Sequence, residues 1–112
     1  MDKLDKLFED QKKLQKFFKQ ELDKMNYSKK KSYVYDNLLD SMEELKSIQK
    51  KISKNKFENL KNVSEQNVSD LLHFVLNLCI VLEIEPNELY DIYEKRNIHI
   101  YENKNKYKRK RR

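Results

Sequence analysis

The chain has 112 residues, of which 38% are hydrophobic and 39% charged, with 25 Lys and Arg against 19 Asp and Glu. That length suits one domain with a modest core, and the absence of glycine beside a single proline, Pro86, argues against an all-β fold, whose tight turns lean on both residues. The lone Cys79 excludes an intramolecular disulfide and fits a reducing, cytoplasmic setting; no apolar run is long enough to span a membrane, and no signal-peptide block opens the chain.

A first helix is expected from Asp2 to Met25, where Leu4, Leu7, Phe8, Leu14, Phe17, Phe18, Leu22 and Met25 recur at three- and four-residue steps. Asn26 to Lys31 reads as a connection, with Ser32 as the cap of a second helix over Tyr33 to Ile52. That helix carries the stripe Val34, Leu38, Met42, Leu45, Ile48 and Ile52. The polar stretch 53–63 reads as a loop pinned by Phe57 and Leu60. The third helix is expected from Ser64 to Ile84, with Val68, Leu71, Leu72, Val75, Leu78, Cys79 and Leu82 as its core stripe. Pro86 marks the start of a fourth helix bearing Leu89, Tyr90, Ile92, Tyr93 and Ile98. The expected fold is therefore all-α: a four-helix bundle-like domain over residues 1–101, followed by a basic flexible tail over 102–112.

Net charge of +6 is located entirely in that tail. Residues 104–112, KNKYKRKRR, hold seven basic residues and no acid, which leaves eighteen basic against nineteen acidic residues in the rest. The body is thus not a basic nucleic-acid-binding surface. Lys108, Arg109, Lys110, Arg111 and Arg112 suit phosphate contact, non-specific and salt-sensitive nucleic-acid contact, or a nuclear localisation signal in a nucleated cell; Tyr101 and Tyr107 flank them as stacking groups. A surface this charged on a chain this small also predicts that the core is completed by self-association into a homodimer or higher oligomer.

Few residues can carry chemistry. Without glycine there is no phosphate-cradling loop, and one cysteine with two histidines, His73 and His99, makes no zinc site. Cys79 lies on an apolar stripe and reads as a buried small hydrophobe; His73 falls opposite that stripe and reads as a surface or second-interface residue. A polar seam runs beside the core: Asn67, Asp70, Phe74 and Asn77 share one edge of the third helix, and Ser41 and Glu44 the matching edge of the second. Inward carboxylates on facing helices are how bundles bind hard cations such as Mg²⁺.

The stretch VSDLLHFVLNLCIVLEIEPNELYDIYEKRN, Val68 to Asn97, with LFEDQKKLQKFF at Leu7 to Phe18, resembles the dimeric dUTPases and the MazG-like all-α nucleotide pyrophosphohydrolases, in segment order and texture, up to about Tyr107. In that group a helix bearing E-x-x-E precedes one bearing E-x-x-D. The resemblance implies Mg²⁺-dependent hydrolysis of dUTP or a related dNTP to the monophosphate and pyrophosphate, with Glu44, Asp70 and Asn67 around the metal and Arg96, Asn97, Asn77 and Tyr107 toward substrate. Here Ser41 and Asn67 stand where the pattern has glutamates, so two of four carboxylates are missing. The alternative register, Asp40 and Glu43, keeps two acids but turns them to solvent. Ile100 and Asn103 replace a further asparagine and arginine of the pattern. Two other readings follow: a catalytically inactive relative serving oligomerisation or nucleic-acid binding, and, from LCIVLEIEPNELYDI, a helix-turn-helix DNA binder, which lacks the preceding helix pair.

Overall fold

The computed structural model describes residues 2–18 and 24–107. Almost all of them are helical: α1 (Lys3–Phe17), α2 (Tyr27–Lys54), α3 (Leu60–Val81), α4 (Pro86–Glu102) and a single turn, α5 (Lys104–Tyr107). There is no strand among the described residues, and the chain is an all-α, helical-bundle-like fold.

Local chemistry explains where the helices begin. Asp2 caps α1 by accepting the Asp5 N–H at 2.9 Å, and Asn26 caps α2 by accepting the Lys29 N–H at 2.9 Å. The second helix therefore starts six residues before the expected Ser32 cap: the lysines of residues 29–31 are good helix formers once Asn26 satisfies the first turn. The expected loop at 53–63 shrinks to Asn55 and Lys56. A 3₁₀ turn at Phe57–Asn59 runs straight into α3, so the polar residues there are the solvated face of a helix rather than a loop. Residues 102–107 are likewise helical apart from Asn103, with α4 reaching Glu102 and its cap Asn103 donating from Nδ2 to the His99 carbonyl at 2.9 Å. Leu22 and residues 108–112 lie outside the described residues.

The α3–α4 corner is a Schellman ending. Ile84 N–H donates to the Cys79 carbonyl at 2.8 Å and Glu83 N–H to the Ile80 carbonyl at 3.1 Å, with Glu83 in the left-handed region at φ 60°. Glycine normally fills that position; this chain has none, and Glu83 accepts a conformational cost of about 1 kcal/mol. The corner bends the chain by 110°, and Pro86 sits in the first turn of α4.

α2 and α3 form an antiparallel hairpin: Lys51 and Glu44 meet Asn67, Asn37 meets Phe74, and Lys30 approaches Glu83. α1 packs on another side of α3 and also touches α4. The core is small. Phe8, Leu76, Cys79, Ile80 and Val81 are buried, with Leu4, Met25, Tyr33, Val34, Leu78, Ile84 and Leu89 packed around them. Of the expected α3 stripe only Cys79 is fully buried; Val68, Leu72, Val75 and Leu82 are about half exposed. The apolar arc of α3 is split three ways, between α1, α2 and open solvent, so its centre is not its most buried line.

Candidate functional site

Two polar networks lie on α3, one facing each neighbour. Toward α2, Asn67 is 5% exposed and is held at both ends of its amide. Its Nδ2 donates to Glu44 Oε1 at 2.6 Å and, more weakly, to Ser47 Oγ at 3.4 Å; its Oδ1 accepts from Lys51 Nζ at 2.6 Å. The amide orientation follows from the charges, because a carboxylate demands a donor and an ammonium an acceptor. Charge-assisted bonds of this kind are the stronger ones in proteins. One turn up the seam, Ser41 Oγ donates to the Asn37 carbonyl at 2.8 Å, and buried Asn37 donates from Nδ2 to the Phe74 carbonyl at 3.0 Å.

Toward α1, the buried amides of Gln11 and Gln15 both donate to Asn77 Oδ1, at 2.7 and 2.5 Å. Gln11 Oε1 in turn lies 2.7 Å from His73 Nδ1, which places the hydrogen on that ring nitrogen. His73, read from its position opposite the apolar stripe as a surface or second-interface residue, is thus half-buried at an interface with α1. Gln11 and Gln15 were missed by the sequence reading. The signal was present, since Leu4, Phe8, Gln11 and Gln15 step four, three and four along one face of α1, but glutamines on that face read as its edge.

The structure divides the expected metal residues between these networks. Glu44 and Asn67 meet across α2 and α3. Asp70 is exposed and lines an open groove of about 300 Å³ with Gln11, Leu14, Gln15, Phe18, His73 and Asn77. No group of three or more His, Cys, Asp or Glu side chains converges as a metal site among the described residues. Arg96 and Asn97 sit on α4, and Tyr107 ends α5. The tail cations Lys108 to Arg112 lie outside the described residues.

Beside Lys51, the last turns of α2 open onto a cleft of about 480 Å³ lined by Glu43, Lys46, Ser47, Lys50, Lys51, Lys54 and Asn55. Its lysines complement the negative end of the α2 dipole. Burial pushes the Cys79 thiol up from its ordinary value, so it stays protonated and unreactive. Against family models, characterised proteins and solved structures alike, the chain finds no match.

Proposed function

We propose that this chain is a non-hydrolysing, all-α nucleotide pyrophosphohydrolase-like protein, in which the seam that would hold metal has become a structural link and whose work is association. The observation that carries this reading is the Glu44–Asn67–Lys51 chain. The resemblance put Glu44 and Asn67 at facing seam positions, and these two side chains are in contact at 2.6 Å. The same contact argues against catalysis. Asn67 contributes an amide where a second carboxylate would add charge, Ser41 contributes a hydroxyl already spent on a backbone carbonyl, and the ammonium of Lys51 occupies the acceptor of Asn67. Two Mg²⁺ ions need several carboxylate oxygens to offset their charge; Glu44 is tied to the amide and Asp70 faces a different groove.

A second reading, residual hydrolysis through one weakly held Mg²⁺, is favoured by Glu44 and Asp70 both surviving at matching positions. One experiment separates the two. The purified protein is mixed at high concentration with a panel of dNTPs, including dUTP, with and without Mg²⁺, and pyrophosphate release is followed. No release above the protein-free rate is expected. Mg²⁺-dependent turnover that is lost in Asp70→Ala overturns the non-hydrolysing reading and restores the enzyme.

A further inference from the structure

The end of the α2–α3 hairpin away from the Glu44–Asn67–Lys51 seam holds a cavity of its own. The start of α2 and the C-terminal end of α3 enclose about 430 Å³ there, within the roughly 300–1,000 Å³ of small-molecule pockets. Its floor is apolar: Val81 is 3% exposed, Val34 packs against the core, and Leu82, 55% exposed, lines it beside them. Tyr27 stands at the mouth, 85% exposed. Along α2, Lys30 and Lys31 follow Tyr27 by one helical turn and precede Val34 by another, so one face of the helix brings two ammonium groups to an apolar lining. Glu83 lines the same cavity from the α3–α4 corner, its carboxylate 3.8 Å from Lys30 Nζ. Lys31 has neither an ion pair nor a hydrogen bond among the described residues. Two ammonium groups against one carboxylate leave the lining with one surplus positive charge, and α2 has no acid in its first turn to cancel it. The lysine cleft at the other end of α2 differs: that helix alone lines it, with no apolar side chain.

We infer that this cavity binds an amphipathic monoanion, a single carboxylate on an unbranched alkyl chain of medium length. The head meets Lys31 and Lys30, and the chain lies on Val81, Val34 and Leu82. Three features select that chemistry. First, the surplus charge matches one carboxylate. Lys30 is already shared with Glu83, so a second negative charge on the ligand would meet Glu83 with only Lys31 to offset it. Second, an apolar floor rewards only an apolar body, which separates this ligand from small inorganic anions. Third, the apolar lining does not close into a pocket for a ring. One turn along α2 from Val34 stands Leu38, 50% exposed, and two turns back along α3 from Leu82 stands Val75, 48% exposed. Apolar surface therefore leads away from the cations along the hairpin, as a chain with one charged end requires.

The site lies apart from the seam, and the outcome of the dNTP assay does not bear on it. The full-length protein is titrated with hexanoate, octanoate and decanoate, each below its micelle-forming concentration, by calorimetry and by NMR of the backbone amides. Saturable binding of one ligand per chain is expected, tightening about two- to fourfold for each added methylene, with shift changes centred on residues 27–34 and 81–83. Decanol, of equal length without the charge, binds about tenfold more weakly. Lys31→Glu weakens decanoate by about tenfold or more, and Lys30→Gln by less, because that ammonium is shared with Glu83; helicity by circular dichroism is retained in both. If a variant fails to fold, the wild-type shift map and the decanol comparison decide alone. Absence of saturable decanoate binding overturns the inference. So do equal affinities for decanoate and decanol, which reduce the site to a non-selective apolar surface, and shift changes centred elsewhere in the chain. Vesicles of anionic phospholipid are the second arm: binding to vesicles without binding to the soluble acids overturns the inference as well, and assigns the two lysines to a membrane surface.

Discussion

Replacing Asn67 with alanine tests whether the seam stabilises the fold. The substitution removes both charge-assisted hydrogen bonds of the amide at once, with the weaker one to Ser47, leaving the Glu44 carboxylate and the Lys51 ammonium without their shared partner. Hydrogen bonds to charged groups contribute about 1.5–3 kcal/mol each. Glu44 and Lys51 are only half-buried and regain water when released, so the pair of bonds is discounted to about 2–3 kcal/mol in all. For a domain of this size that lowers the thermal midpoint by roughly 8–15 °C. Urea unfolding followed by circular dichroism measures it, at a fixed protein concentration so that association does not shift the midpoint. The Glu44→Ala single variant and the Glu44→Ala, Asn67→Ala double variant close the cycle, and a coupling of about 1 kcal/mol or more is expected between these contacting residues. A loss below about 0.5 kcal/mol, or strict additivity, refutes the view that this amide bridges two charges to structural effect.

Two further substitutions probe other parts of the fold. Asn77→Ala strands the amides of Gln11 and Gln15, both buried, and is expected to cost about 2–4 kcal/mol in urea unfolding, with faster hydrogen exchange in α1 than in α2 as its local signature. Tyr33 gives a pH dependence: burial, with a smaller contribution from the Asp40 charge, pushes its phenol up to about 12 from 10. The folded state therefore keeps a proton that the unfolded state gives up, so this contribution is intact below pH 10 and is lost as pH rises toward 12. Tyr33→Phe is expected to flatten the fall of the urea midpoint over that window; an unchanged slope shows that the phenol is not the group responsible.

The helices were legible because period and composition agree: apolar residues at three- and four-residue steps, no glycine, and a proline where α4 begins. Their ends were less so. Asn26 and Ser32 are both competent caps, and the earlier one wins because the lysines after it continue the helix that it starts. The lysine- and asparagine-rich run at 53–63 looks like a loop in composition, yet from Phe57 onward it winds because nothing in it forbids a helix. The core was misread on α3 because a stripe shows which arc is apolar but not how many neighbours share it. Leu76 and Ile80 are buried, Leu76 beside a groove shared with Leu7, Gln11 and Leu14 of α1, while Val68, Leu72 and Val75 stay about half exposed among the described residues. At the seam, the pairing of Glu44 with Asn67 was readable from register alone. Lys51, seven residues on from Glu44, falls on the same edge of α2, but a lysine at the edge of a stripe reads as a solvated flank, so its bond to Asn67 was not legible.

Lys51 has a consequence for how this protein meets its surroundings. A seam bridged by an ammonium carries its counter-ion on the chain, bonded covalently through four methylenes. On the non-hydrolysing reading proposed above, such a seam has no loaded and empty forms and is indifferent to divalent-ion supply and to chelators. Its occupant is made at synthesis and stays for the life of the molecule.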